Sequence, residues 1–100
     1  MSLIKNPMHP GEVLAELYLE PLGLTAGRLA KALRVPRTRV ERIVKGETAV
    51  TPATAVRLGR YFRTTPDVWL GMQSAFDLRR LEREAADEIE RIEPMPAAAA

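Results

Sequence analysis

The sequence predicts an all-α fold of five helices, the second and third forming a helix-turn-helix pair and the last an extended C-terminal helix. Three observations carry this. Apolar residues recur at steps of three and four, and no segment alternates as a strand would. Proline or threonine-proline marks most of the helix starts, and Gly23 and Gly46 follow two of the ends. Only Arg34-Val35 separates the second apolar-periodic segment from the third.

The first helix is expected from about Pro10 to Glu20. Pro10 suits a first helical position, and Glu12 complements the positive helix N-terminus. Val13, Leu14, Leu17 and Tyr18 form its apolar face, and Pro21 and Gly23 end it. The second runs from Ala26 to Leu33 behind Thr25, whose hydroxyl can accept from an orphan backbone N–H. Leu29, Ala30 and Leu33 point inward. The third begins at Pro36 as its first residue and stops before Gly46, burying Val40, Ile43 and Val44. The fourth opens on Thr51-Pro52, buries Ala55, Leu58 and Phe62, and stops near Thr64. The fifth opens on Pro66-Asp67 with Trp69, Met72 and Phe76 inward. It continues to about Ile92 through Leu78, Leu81, Ala85, Ile89 and Ile92. The chain then divides into an N-terminal arm over residues 1–8, a helix-turn-helix domain with its C-terminal helix over 9–93, and a simple tail over 94–100 expected to be disordered.

One hundred residues suffice for one domain with a modest core. Cysteine is absent, which excludes disulfides and thiolate metal sites and agrees with a reducing compartment. Neither a membrane-length apolar run nor the apolar stretch of a secretory signal is present, so a soluble cytoplasmic protein is expected. The net charge of +2 hides an asymmetry: residues 1–76 hold eleven Lys/Arg against six Asp/Glu, and residues 77–100 hold four against seven. Between Thr25 and Lys45 seven basic residues accompany the single acid Glu41, the footprint of a phosphate-binding surface.

The pair around Arg34-Val35 has the small residue, apolar plug and inward anchors of a helix-turn-helix: Ala30, Val35, then Val40 and Ile43. Arg34 stands where glycine is common, which requires a left-handed backbone at a cost of roughly 1 kcal/mol. Burying Val40, Ile43 and Val44 turns Arg37, Thr38, Arg39, Arg42 and Lys45 outward. The first three occupy the end of a recognition helix that meets base edges in the major groove. Arginine can bond guanine bidentately, and a threonine methyl can pack on thymine. Arg42 can reach a base or a phosphate, and Lys45 and Arg28 are placed for phosphates. Thr25 and the N–H groups of Ala26 and Gly27 can hold another phosphate. The expected DNA-contacting set is therefore Thr25, Arg28, Arg37, Thr38, Arg39, Arg42 and Lys45.

Several segments resemble the HigA family of antitoxins, also described as VapI-like, within the λ-repressor-like helix-turn-helix class. They are His9-Pro10-Gly11-Glu12, Glu20-Pro21-Leu22-Gly23-Leu24-Thr25, Leu29-Ala30-Lys31-Ala32-Leu33, and the run from Val35 to Ile43. Gly46, the run from Thr51 to Ala55, Thr65-Pro66-Asp67-Val68-Trp69-Leu70, Met72-Gln73 and Phe76-Asp77-Leu78 continue it, over about residues 8–83. A bare helix-turn-helix is weakly specific; the HPGE start combined with TPxxWL and Q…FDL is far more so. The resemblance implies a homodimer that represses its own operon and neutralises a HigB-type toxin, a small RelE-like ribonuclease. Arg37, Thr38, Arg39 and Arg42 match that family's DNA-facing positions, and Pro66 to Leu81 match its dimer-forming helix. Such a dimer would read an inverted repeat with half-sites about 34 Å apart. The acidic stretch from Leu81 to Ile92 exceeds the shortest family members. It reads either as a dimer or toxin surface or as a helix packed on its own domain.

The remaining residues read blandly. His9, the one histidine, is expected as a cap or surface residue, and Trp69 as a core aromatic beside Phe62 and Phe76. No His/Cys cluster suggests a metal, no nucleophile–base pair suggests catalysis, and no cofactor is implied. The alternatives are a stand-alone helix-turn-helix regulator without a toxin, and an interaction adaptor that has lost DNA binding.

Overall fold

The computed structural model describes residues 6–96, and among these all regular structure is helical. Six helices follow one another. α1 covers residues 10–22, α-helical over Pro10–Val13, π-helical over Leu14–Leu19 and α-helical again over Glu20–Leu22. α2 is Ala26–Leu33, α3 Arg37–Val44, α4 Pro52–Phe62, α5 Pro66–Glu84 and α6 Ala86–Glu90. α4 and α5 pack as neighbours, as do α2 and α3, while α1 lies across α3 and α5.

The caps are those the residue types require. Thr25 Oγ1 accepts from the Arg28 N–H at 3.1 Å, and Thr51 Oγ1 from the Thr54 N–H at 3.4 Å. α2 closes on Arg34 at φ 60, ψ 46, so the left-handed turn expected without glycine is present. α4 closes the same way on Arg63 at φ 60. Pro36 departs from expectation. It is the extended residue that precedes α3, at ψ 143, and helical geometry starts at Arg37.

α1 differs more. Pro21 lacks the N–H that would bond the Leu17 carbonyl, and its ring crowds that carbonyl. The chain widens just before it: the Glu20 N–H donates to the Ala15 carbonyl, five residues back. The helix therefore passes through Pro21 and ends on left-handed Gly23 at φ 61. The wide turn shifts the apolar face. Leu14 and Leu19 are buried, whereas Leu17, expected inward, is 67% exposed.

The core joins Leu14, Leu29, Ala30, Leu33, Val40, Ile43, Val50, Ala55, Leu58 and Trp69. Trp69 is wholly buried, donates Nε1–H to Thr64 Oγ1 at 2.9 Å, and lies 5.2 Å from the Tyr18 ring and 6.2 Å from that of Phe62. Phe76, expected beside it, packs instead edge-on to His9 at 5.0 Å. Val44 is half-buried rather than buried.

His9 is the α1 cap. Its Nδ1 accepts from the Gly11 N–H at 2.9 Å. Burial lowers its pKa from the usual 6.5, against the opposing pull of Asp77 and a backbone hydrogen bond at Thr48. Gly11 is indispensable there: a Cβ on it would lie 1.6 Å from the Ile43 carbonyl oxygen. The entry of α1 thus rests directly on the end of α3.

The fifth helix was expected to reach Ile92. It stops at Glu84, because Ala85 leaves helical geometry at φ −108, ψ 16, and α6 follows as one short turn. Leu78, Leu81, Ile89 and Ile92 are exposed, so this stretch does not bury its apolar stripe on its own domain. The molecule is correspondingly long, 56 × 27 × 24 Å. Arg83 Nη2 donates to Asn6 Oδ1 at 3.2 Å, which ties the described end of the N-terminal arm to α5. The rest of that arm, residues 1–5, and residues 97–100 of the tail lie outside the described residues.

Candidate nucleic-acid interface

The α2–α3 pair is held rigidly from beneath. Leu29, Ala30, Leu33, Val40 and Ile43 are buried, and the Val35 N–H returns to the Ala30 carbonyl at 3.0 Å. With that face fixed, all seven expected residues are exposed: Thr25, Arg28, Arg37, Thr38, Arg39, Arg42 and Lys45.

They do not form one uniform strip. Thr38, Arg39 and Arg42 line a groove of about 410 Å³ with Pro36, Thr48, Ala49, Thr51 and Ala53. Arg37 leans the other way, over the start of α2, where its Cδ lies 3.6 Å from the point at which a Gly27 side chain would begin. Its Nε donates to Glu41 Oε2 at 2.9 Å, one helical turn on. Lys45 stands apart, beside His9, Glu12, Gly46 and Phe76. The structure therefore brings together three of the seven on one concave wall. Thr25, Arg28 and Arg37 gather at the α2 N-terminus, and Lys45 lies at the far end of α3.

Sequence reasoning missed Thr48 and Thr51 as groove residues. Thr51 was legible as a helix cap, but its position opposite Arg39 depends on how the α3–α4 loop folds back. That loop is fixed by a buried contact, the Val50 N–H donating to Gln73 Oε1 at 2.8 Å. Gln73 Nε2 in turn donates to Asp77 Oδ1 at 3.1 Å, so α5 anchors the loop that carries Thr48, Ala49 and Thr51 into the groove without lining it.

Chemically, the surface offers guanidinium donors, threonine hydroxyls and the unpaired N–H groups at the starts of α2 and α3. It matches phosphates and base edges, the partners of such donors. Among the described residues no group of three or more His, Cys, Asp or Glu side chains is placed to hold a metal ion. No helix among them is long and apolar enough to cross a membrane.

Comparisons with known proteins bear on this surface directly. The helix-turn-helix family model matches residues 16–69, which spans α2, α3 and α4. The chain is 48% identical over 83 residues to virulence-associated protein I of Dichelobacter nodosus, covering 80% of this chain and 77% of that protein. A HigA-family addiction module antidote protein from Coxiella burnetii superposes with a TM-score of 0.83 at 38% identity, over 90% of this chain and 99% of the other. The Pseudomonas aeruginosa antitoxin HigA, solved with the higBA promoter, superposes with a TM-score of 0.85 at 34% identity, over 91% of this chain and 100% of that one. With the family model matched over more than half of the chain and relatives of this identity covered over most of their length, the chain belongs to the helix-turn-helix family and, within it, to the HigA (VapI-like) antitoxins.

Proposed function

We propose that this protein is a sequence-specific DNA-binding antitoxin that represses its own operon and neutralises a HigB-type toxin, a RelE-like ribonuclease. One observation carries the reading: Thr38, Arg39 and Arg42 form an exposed donor wall on a rigid helix pair, in a fold whose HigA relative is solved on promoter DNA. Arg39 and Arg42 read base edges, and Thr38 packs on a thymine methyl. Arg28, Lys45 and the α2 N-terminus at Thr25 fix the register through phosphates, and Arg37 divides its charge between Glu41 and the duplex. Two copies read the two halves of an inverted repeat, since one half-site alone binds weakly. The protein acts in the cytoplasm, without cofactor, and carries out no catalysis of its own.

The test is footprinting and gel shift on the DNA upstream of its own gene. The wild type protects an inverted repeat, and Arg39→Ala with Arg42→Ala weakens specific binding by at least about tenfold. Unchanged specific binding in that variant overturns the assignment. Affinity must also fall steeply with salt; a flat salt dependence returns the chain to an adaptor role. Co-purification of a small basic protein encoded beside it separates an antitoxin from a stand-alone regulator.

A further inference from the structure

A second basic surface lies outside the recognition helix. Arg34, Arg57, Arg60 and Arg63 surround an open groove of about 840 Å³ between α2 and α4, with Val56 and Tyr61 on its apolar side. Val56 is 58% exposed and Tyr61 45%. Three guanidinium groups, with that of Arg57 already held on the Leu33 carbonyl, beside exposed apolar side chains suit an acidic amphipathic segment better than bare phosphate, because phosphate leaves the apolar part uncovered.

The chain itself contains an acidic segment of this kind, made of the last turn of α5, the short α6 and the residues just after it. From Glu82 to Glu93 five glutamates and one aspartate accompany Ile89 and Ile92, both exposed, and only Arg83 and Arg91 oppose them. This segment cannot reach the groove of its own molecule. Arg63 ends α4 beside the start of α5, and α5 runs 19 residues as one helix before α6 begins. At 1.5 Å per residue that separates the two by about 28 Å. A second copy of the chain carries the same segment and is free of that restriction.

We infer that the groove between α2 and α4 receives the acidic C-terminal segment of a second copy, each copy clasping the other. The contact is isologous: arginines of one protomer face glutamates of its partner, and Ile89 and Ile92 cover Val56 and Tyr61. The charge asymmetry along the chain is then the complementarity of its own dimer.

Sedimentation equilibrium of the full chain, without DNA or toxin, tests this independently of the proposed function. Arg60→Glu and Glu88→Arg each place like charges across the contact, and each weakens the dimer at least about tenfold. An equimolar mixture of the two variants regains dimer, because the mixed pair has only opposite charges at both contacts. Recovery on mixing also shows that both variants are folded. A wild-type chain that stays monomeric, variants that dimerise as the wild type does, or a mixture that recovers nothing overturns the inference. So does an Arg60→Glu variant that loses DNA affinity while its dimer is unaltered, since the groove then serves the duplex.

Discussion

Arg57 donates from Nη1 to the Leu33 carbonyl oxygen at 2.7 Å, so a side chain of α4 closes the C-terminus of α2. The two residues are 24 positions apart in sequence. A positive group at the negative end of a helix is favourable, and the bond is charge-assisted.

Arg57→Met keeps the aliphatic stem and removes the donor, leaving the Leu33 carbonyl without it. The expected loss is about 1.5 kcal/mol of unfolding free energy, measured by urea denaturation. A change below about 0.5 kcal/mol would show that water replaces the guanidinium at no cost.

Gly11→Ala tests the junction of α1 with the recognition helix. The new methyl would collide with the Ile43 carbonyl, a backbone atom that cannot swing aside. Destabilisation of roughly 3 kcal/mol is expected, the upper end for overpacking. Alanine is otherwise the better helix former, so a neutral or stabilised variant in thermal melts would contradict the contact.

Glu41 holds Arg37 in an exposed ion pair at 2.9 Å, with the arginine side chain 72% exposed. Such pairs contribute little to stability. Glu41→Gln should leave the melting temperature almost unaltered and tighten DNA binding a few-fold at low salt, by removing the one acid of the basic face. Titration of labelled operator DNA would decide it; equal or weaker binding would mean that Glu41 positions Arg37 productively.

His9 sets a pH dependence. Burial lowers its folded pKa below 6.5, and Asp77, Glu12 and the Thr48 backbone oppose that shift while Arg80 adds to it. Neutral His9 is the form that caps α1, since Nδ1 must accept from Gly11. The unfolded chain binds the proton more readily, so this contribution is complete above pH 6.5 and is lost as pH falls from there toward the lower folded value. Melts between about pH 8 and about pH 5.5 should show the decline, and His9→Asn, which can also cap, should flatten it. Identical pH profiles for both proteins would exclude His9 as the source.

Much of this was legible in the residues. Thr25 and Thr51 announced their helices because a hydroxyl cap is a local property. The arginines of α3 announced an outward face because Val40 and Ile43 fix the inward one. The left-handed turn at Arg34 followed from the spacing of Ala30 and Val35. What stayed hidden depends on tertiary packing. Pro21 gave no hint that the chain would widen before it instead of stopping. Ile89 and Ile92 kept a helical period across Ala85, where the backbone leaves the helix. Thr48 and Lys45 could be placed on a face of the groove or away from it only once Gln73 had anchored the loop at Val50.

The widened turn in α1 has a directional consequence. Each residue of an α-helix advances the chain by about 100° around the axis. A turn that closes five residues back instead of four therefore absorbs one residue's worth of rotation, much as a shim corrects the angle of a hinge. Leu24 and Thr25 leave α1 along the bearing this sets, so the aim of the whole arginine edge is tuned from a stretch of backbone that touches none of it. Deleting a single residue between Leu14 and Leu19 would re-aim that edge without removing one charge from it.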